Sequence, residues 1–256
     1  MNILTIDVGN TNVAICLFFK EKPISFVKIR NTDLIKTKLK ENLLEKYTKN
    51  SNINIILSSV VPAISKIIID FLKVNKIKFY LLKNLIKTLE IKINIREKKK
   101  IGEDRIVNAY YAKTKYLKNL IIIDFGTATT FDVIDSQGNY DGGIITPGID
   151  LSLKVLSERT AKLPLVKFAK TKNVIGRDTK SAIQSGFFWG YVSMIQGLVY
   201  KITSEKKNSF RIILTGGNCN VFKNLIENVI VSDDLFNSKG LNFIMKEYLK
   251  NEYQKR

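Results

Sequence analysis

Twice in this chain an apolar, strand-like run ends in Asp, one apolar residue and Gly, then turns into a second strand-like run. The first copy is Ile3-Leu4-Thr5-Ile6-Asp7-Val8-Gly9-Asn10-Thr11, and the second is Leu120-Ile121-Ile122-Ile123-Asp124-Phe125-Gly126-Thr127-Ala128. A carboxylate is costly inside a buried run, so each Asp belongs at a strand end, facing a turn. The downstream elements repeat as well. Behind the first copy the spacing predicts strands at Val13–Phe19 and Ile24–Arg30, and a helix over Asn31–Lys49. A strand at Ile53–Val60, a helix at Ala63–Val74 opened by Pro62, a strand at Ile77–Leu82 and a helix at Gly102–Tyr116 come next. Behind the second it predicts strands at Thr129–Ile134 and Tyr140–Ile145, then helices at Ile149–Arg159 and Thr179–Ser204. A strand at Phe210–Thr215, a short helix at Val221–Asn228, a strand at Val229–Ser232 and a last helix at Ser238–Glu252 complete it. A repeated unit of three strands plus helices predicts an α/β fold of two duplicated lobes, residues 1–117 and 118–256, with a cleft between them. Two unrelated hairpins with Asp and Gly at their turns would look alike locally. The repetition of the later elements favours duplication.

Composition narrows the chemistry. The chain has 42 Lys+Arg against 23 Asp+Glu, a net charge of +19. That balance suggests an acidic partner, but the lysines are dispersed and only Lys98-Lys99-Lys100 is compact. No aromatic residues interleave with that run as a base-stacking platform needs, which argues against nucleic acid. Ile, Lys and Asn are over-used along the whole chain, so compositional drift is the simpler source of the charge. There is no histidine, which excludes Ser-His-Asp and Cys-His catalysis and leaves proton transfer to a carboxylate first. Cys16 and Cys219 make no metal motif and read as reduced, buried thiols. No run approaches the ~20 apolar residues of a membrane span, and Asp7 interrupts the apolar N-terminus where a signal peptide would be continuous. The expectation is a soluble cytoplasmic protein with no membrane contact.

Gly is never followed by Lys, so there is no P-loop, and no G-x-G-x-x-G is present. Phosphate would have to be held by a hairpin turn. Successive backbone N–H groups form an anion nest, and Gly9 permits close approach. Asn10, Thr11 and Asn12 add short donors at the same place. Asp7 facing phosphates needs a cation between, and Mg²⁺, held by one or two carboxylates and several waters, suits it. Asp124, Gly126 and Thr127 repeat the arrangement, and Thr215-Gly216-Gly217-Asn218 is a third polar Gly turn after a strand. Each is an ordinary turn by itself; together they suit the two ends of one ATP. Gly102-Glu103-Asp104-Arg105 opens a helix. Asp104 there either complements the helix dipole or accepts a proton from a substrate hydroxyl. Arg105 is either an ion-pair partner or the fork that binds an anionic substrate group.

With Ser58-Ser59-Val60-Val61-Pro62, Gly142-Gly143, Pro147-Gly148 and Thr179 before Ile183-Gln184-Ser185-Gly186, these motifs stand in one order along nearly the whole chain. In that order the sequence resembles the type III pantothenate kinases, of the superfamily that holds acetate and sugar kinases, heat-shock ATPases and actin. The resemblance implies ribonuclease H-like lobes with mixed sheets and a nucleotide cleft. It implies phosphorylation of pantothenate by ATP, the first step of coenzyme A synthesis. By position it assigns Asp104 as proton acceptor and Asp7, Val8, Gly9, Asn10, Thr11, Asn12, Val13, Ala14 and Thr127 to ATP. Gly102, Glu103, Asp104, Arg105 and Thr179 fall to pantothenate, Thr179 from the partner of a homodimer. Asp124 matches a ligand of a monovalent cation, K⁺ or NH₄⁺. Ile95 and Lys98 stand where the family has Tyr and Pro, so weaker pantothenate binding, or substitution by Tyr110, is expected. A kinase for another small alcohol and a non-enzymatic ATP-binding regulator are the competing readings.

Overall fold

The computed structural model describes residues 1–36, 47, 53–116 and 118–254. Two compact units emerge, and they do not divide at one point of the chain. One comprises Met1–Ile91, Glu97–Ala112 and Phe236–Arg256, the other Lys92–Arg96 and Lys113–Leu235.

The first unit is built on a five-stranded sheet. β1 (Asn2–Val8), β2 (Asn12–Phe19) and β3 (Lys22–Arg30) form an antiparallel meander. β4 (Ile53–Ser59) and β5 (Phe79–Leu81) then join on the far side of β1 in parallel, giving the order β3-β2-β1-β4-β5. Along β1, Leu4, Ile6 and Val8 enter one core with Ile55 and Leu57 of β4. α1 (Asn31–Lys36) follows β3, and the rest of the helix expected to Lys49, with Leu39, Leu43 and Leu44, lies outside the described residues apart from Tyr47. α2 (Pro62–Val74) starts with Pro at its first turn, where no backbone donor is needed, and seats Ile64, Ile68 and Leu72 on that core. Residues of the opposite parity, Ile3 and Ile56, enter a second core. Short α3 (Leu82–Leu85) and α4 (Glu103–Lys115) contribute Leu82, Leu85 and Val107 to it. The last helix of the chain adds Leu241, Ile244 and Met245.

The second unit repeats the plan. β6 (Leu120–Phe125), β7 (Ala128–Ile134) and β8 (Tyr140–Pro147) are an antiparallel meander. β9 (Arg211–Gly216) and β10 (Val229–Ser232) add in parallel, in the order β10-β9-β6-β7-β8. α5 (Ile149–Glu158) and the 28-residue α6 (Thr179–Lys206) cover Ile121, Ile123, Phe131 and Leu214. α7 (Cys219–Phe222) is shorter than, and ahead of, the helix expected at Val221–Asn228. The duplication is therefore real: each unit has a five-stranded mixed sheet with the same strand plan. α8 (Phe236–Gln254) departs from the linear division at residue 118. It packs on β1, β2 and β4 and belongs to the first unit. Among the described residues no helix is long and apolar enough to cross a membrane.

Candidate active site

In the first unit, strand register sets the site. Lys28, Ala14, Asp7 and Ser58 form one row across β3, β2, β1 and β4, so their side chains leave the same sheet face. That face also carries Ile3 and Ile56, the face that α4 and α8 cover. Ala14 presents only a methyl beside Asp7, and Ser58 is fully buried. Enclosure by protein is the main force on the Asp7 carboxyl and pushes it up to about 7. Negative charge on Asp104 and Glu103 adds to the rise; a hydrogen bond from Ser58 and the Lys28 ammonium oppose it.

The two acids reach Asp7 from the mouth of α4. Burial is the main force raising the Glu103 carboxyl; the backbone N–H of Ser59 and the Lys83 ammonium hold it down, and the charge of Asp104 adds a smaller rise. That N–H ties the helix mouth to the end of β4. The Asp104 carboxylate folds back over Gly102, and a methyl at residue 102 would collide with it. Only that flexible side chain, and no backbone atom, stands in the way of a Cβ there. From α8, Asn237 Nδ2 donates to the Asp104 carbonyl (3.2 Å) and to Asn108 Oδ1 (3.3 Å). Gly240 lets that helix lie against Val107, whose side chain any Cβ would strike. Arg105 follows Asp104 and is half-buried.

Between β1 and β2 the turn closes with Gly9 N–H donating to Asn12 O (2.9 Å). Its outer residues Asn10 and Thr11 are exposed.

The second unit builds the matching corner more tightly. Asp124 lies opposite Thr130 of β7 and Thr215 of β9. The turn is one residue shorter: Gly126 N–H reaches Ala128 O (3.1 Å), and Thr127 is exposed. Gly216, at φ +84°, packs against the Asp124 carboxylate and the Phe125 backbone, which leaves no room for a side chain. Gly217 N–H donates to Phe125 O (3.2 Å), so the third polar Gly turn sits beside Asp124. Gly148 lies directly against the carbonyls of Gly126 and Thr127, and Tyr191 Oη donates to Pro147 O (2.6 Å). Thr179 is the first residue of α6, exposed, behind an Asp178–Ser181 capping box.

Each unit thus gathers its own set of expected residues: Asp7, Gly102, Glu103 and Asp104 in one, Asp124, Gly126, Thr127 and Gly216 in the other. Tyr110, one of the two alternatives for the family's missing Tyr, lies on α4. Its ring packs 6.2 Å from Phe243, and burial and the charges of Glu247 and Glu90 raise its hydroxyl. Ile95 lies against Gly142 in the second unit. Sequence reasoning quotes Ser58 only within a motif and gives no site role to it, to Asn31 or to Asn237. The alternation of β4 could have put Ser58 on the Asp7 face, but no pattern marks the two asparagines. Among the described residues no group of three or more Asp, Glu or Cys side chains is arranged to cage a metal ion.

A family model described as type III pantothenate kinase matches residues 3–201. The protein of that name from Pelagibacter ubique is 41% identical over 244 residues, covering 93% of this chain and 96% of its own. The one from Persephonella marina is 37% identical over 250 residues, with the same coverage of 93% and 96%. Among solved structures, MreB5 of Spiroplasma citri bound to ADP aligns with TM-score 0.52 at 13% identity, over 98% of each chain. The ethanolamine utilization protein EutJ from Carboxydothermus hydrogenoformans aligns with TM-score 0.54 at 12% identity, over 95% of this chain and 90% of that one. At such identities the structural likeness speaks to the fold alone.

Proposed function

The chain belongs to the type III pantothenate kinase family, and from that premise we propose which of its groups perform each part of the reaction. It is a kinase: ATP phosphorylates the hydroxyl of pantothenate to give 4'-phosphopantothenate, the first step of coenzyme A biosynthesis. ATP and a divalent metal ion serve it, as they do kinases generally.

In our reading Asp104 is the general base. It takes the hydroxyl proton as the pantothenate oxygen bonds to the γ-phosphorus and the bond to the β–γ bridging oxygen breaks, releasing ADP. The observation that carries this is the Asp104 carboxylate curled over Gly102 at the helix mouth, on the sheet face that bears Asp7. Arg105 supplies a fork for the pantothenate carboxylate, aided by Gly102, Glu103 and, from the second subunit, Thr179. Asp7 to Ala14 hold the ATP phosphates and Thr127 touches ATP. The donor set at Asp7 fits Mg²⁺, since a carboxyl pushed up to about 7 beside two other acids is one that a cation would stabilise as the anion. One carboxylate with waters and phosphate oxygens is Mg²⁺'s usual company, and it needs no protein cage. When bound, it neutralises charge on the phosphates. Asp124, held between Gly126 and Gly216, is assigned to K⁺ or NH₄⁺.

We further assign the chain to a homodimer. Ile145, Leu151, Val155, Leu165, Val174 and Ile175 of the second unit are exposed, up to 82% for Ile175, which suits a second copy; a single-chain mass by light scattering would refute this. The buried thiols of Cys16 and Cys219 suit the cytoplasm, where we place the reaction. The test of the base is Asp104→Asn in a coupled ADP-release assay: kcat should fall at least about 100-fold while ATP binding survives. Unchanged turnover would mean another group takes the proton.

A further inference from the structure

Three successive carbonyls of the first turn end on one residue. Asn31 Nδ2 donates to the carbonyl oxygens of Gly9 and Asn10, each at 2.9 Å. The backbone N–H of Asn31 donates to that of Thr11, also at 2.9 Å. A trans peptide holds its C=O and N–H antiparallel, and the described residues contain no cis bond. Drawing these carbonyls toward Asn31 therefore sends the N–H groups of Asn10, Thr11 and Asn12 to the opposite side of the turn. Consecutive N–H groups aimed one way are an anion nest. Gly9 N–H is not among them, because it closes the turn onto Asn12 O.

The Asn31 side chain can sit only one way. Flipped, its oxygen would face two carbonyl oxygens, acceptor against acceptor. As it stands, Oδ1 is buried and has no hydrogen-bond partner among the described residues. The fold tolerates that unmade bond, which is expensive, in return for keeping Nδ2 on the turn. The second unit supplies an internal comparison. Gly148 follows β8 as Asn31 follows β3, and its N–H makes the equivalent bond to Thr127 O (3.0 Å). There, no side chain exists to pin further carbonyls, and the shorter turn closes onto the glycine itself.

We propose that Asn31 is the positioning residue of the phosphate-binding turn. It orients the amides of Asn10 to Asn12 and so sets the affinity for nucleotide phosphates, and it touches neither pantothenate nor the transferred proton. This rests on the assignment of the 9–12 turn to ATP phosphates.

The full-length protein tests it through Asn31→Ala and the isosteric Asn31→Asp, which replaces the two donor bonds with repulsion. KM and Kd for ATP·Mg²⁺ should rise about tenfold or more, the scale of losing one or two orienting hydrogen bonds. The Kd for adenosine, which lacks phosphates, and the KM for pantothenate should stay within about twofold, as expected of groups outside the turn. Unchanged ATP affinity in either folded variant overturns the proposal, and so does a parallel loss of adenosine affinity, which would mark a merely structural residue. Wild-type protein gives a reading that no folding failure can remove: titration with pyrophosphate should shift the backbone amide resonances of Asn10, Thr11 and Asn12, and unmoved amides overturn the proposal. Gly9→Val separates the two layers. If ATP binding survives it, the assignment of the turn to phosphates is wrong. If Gly9→Val abolishes ATP binding while Asn31→Ala spares it, only the role of Asn31 is wrong.

Discussion

Asp7→Asn should make the metal-free, nucleotide-free protein more stable above pH 7 and leave it unchanged near pH 4. The Asp7 carboxyl titrates at about 7 in the folded chain against 3.8 ordinarily. Between those values the native state holds a proton that the unfolded state has released, so native stability falls as pH rises through the window. Above 7 both states are ionised and the whole penalty is present; below 3.8 both are protonated and it is gone. At about 1.4 kcal/mol for each tenfold change in proton affinity, the ceiling is about 4 kcal/mol. Asp7 keeps some solvent access, which lowers the working figure to about 2 kcal/mol. For a chain of this size that is about 4–8 °C in Tm. Asn carries no charge at any pH, so the difference from wild type should open from about zero at pH 4 to its maximum at pH 8. Thermal unfolding by circular dichroism in EDTA at pH 4, 6 and 8 reads it. A difference that does not change with pH, or a variant less stable at pH 8, would refute the idea that crowded, desolvated acids strain this corner.

Two glycines should respond oppositely to alanine. At Gly216, φ is +84° and a Cβ meets Asp124 and the Phe125 backbone, so Gly216→Ala should cost at least about 2 kcal/mol. At Gly9 a Cβ stands 3.4 Å from Asn12 O; Gly9→Ala should stay within about 0.5 kcal/mol of wild type while raising KM for ATP. Equal shifts in Tm would contradict this. Asp124→Asn should flatten the dependence of turnover on K⁺ in the ADP-release assay, and an unchanged K⁺ profile would remove Asp124 from that role.

The Asp-x-Gly repeat was legible because a carboxylate closing an apolar run can only lie at a strand end. The two meanders followed from alternation and turn residues, and β1 to β3 and β6 to β8 lie within a residue or two of the expected runs. Chain order puts α8 with residues 118–256, whereas it packs in the first unit, because Leu241, Ile244 and Met245 declare that a face is buried but not against which sheet. The ring of Tyr110 lies beside Phe243 of α8, a neighbour from a helix distant in the chain that no local pattern records. Asn31 looked like an ordinary helix start; its importance lies in two carbonyls more than 20 residues upstream.

From residue order alone came the duplicated α/β plan, the acids at its strand ends and the exclusion of histidine chemistry, since these depend on local periodicity and on which side chains exist. Register, helix docking and close approach decided the rest. They put Lys28, Ala14, Asp7 and Ser58 in one row, brought Glu103 and Asp104 to that row, and turned Asn31 onto the Gly9 turn. Such effects arise between groups distant in the chain, where a carboxyl's charge state and an amide's direction are set by neighbours that no local pattern records.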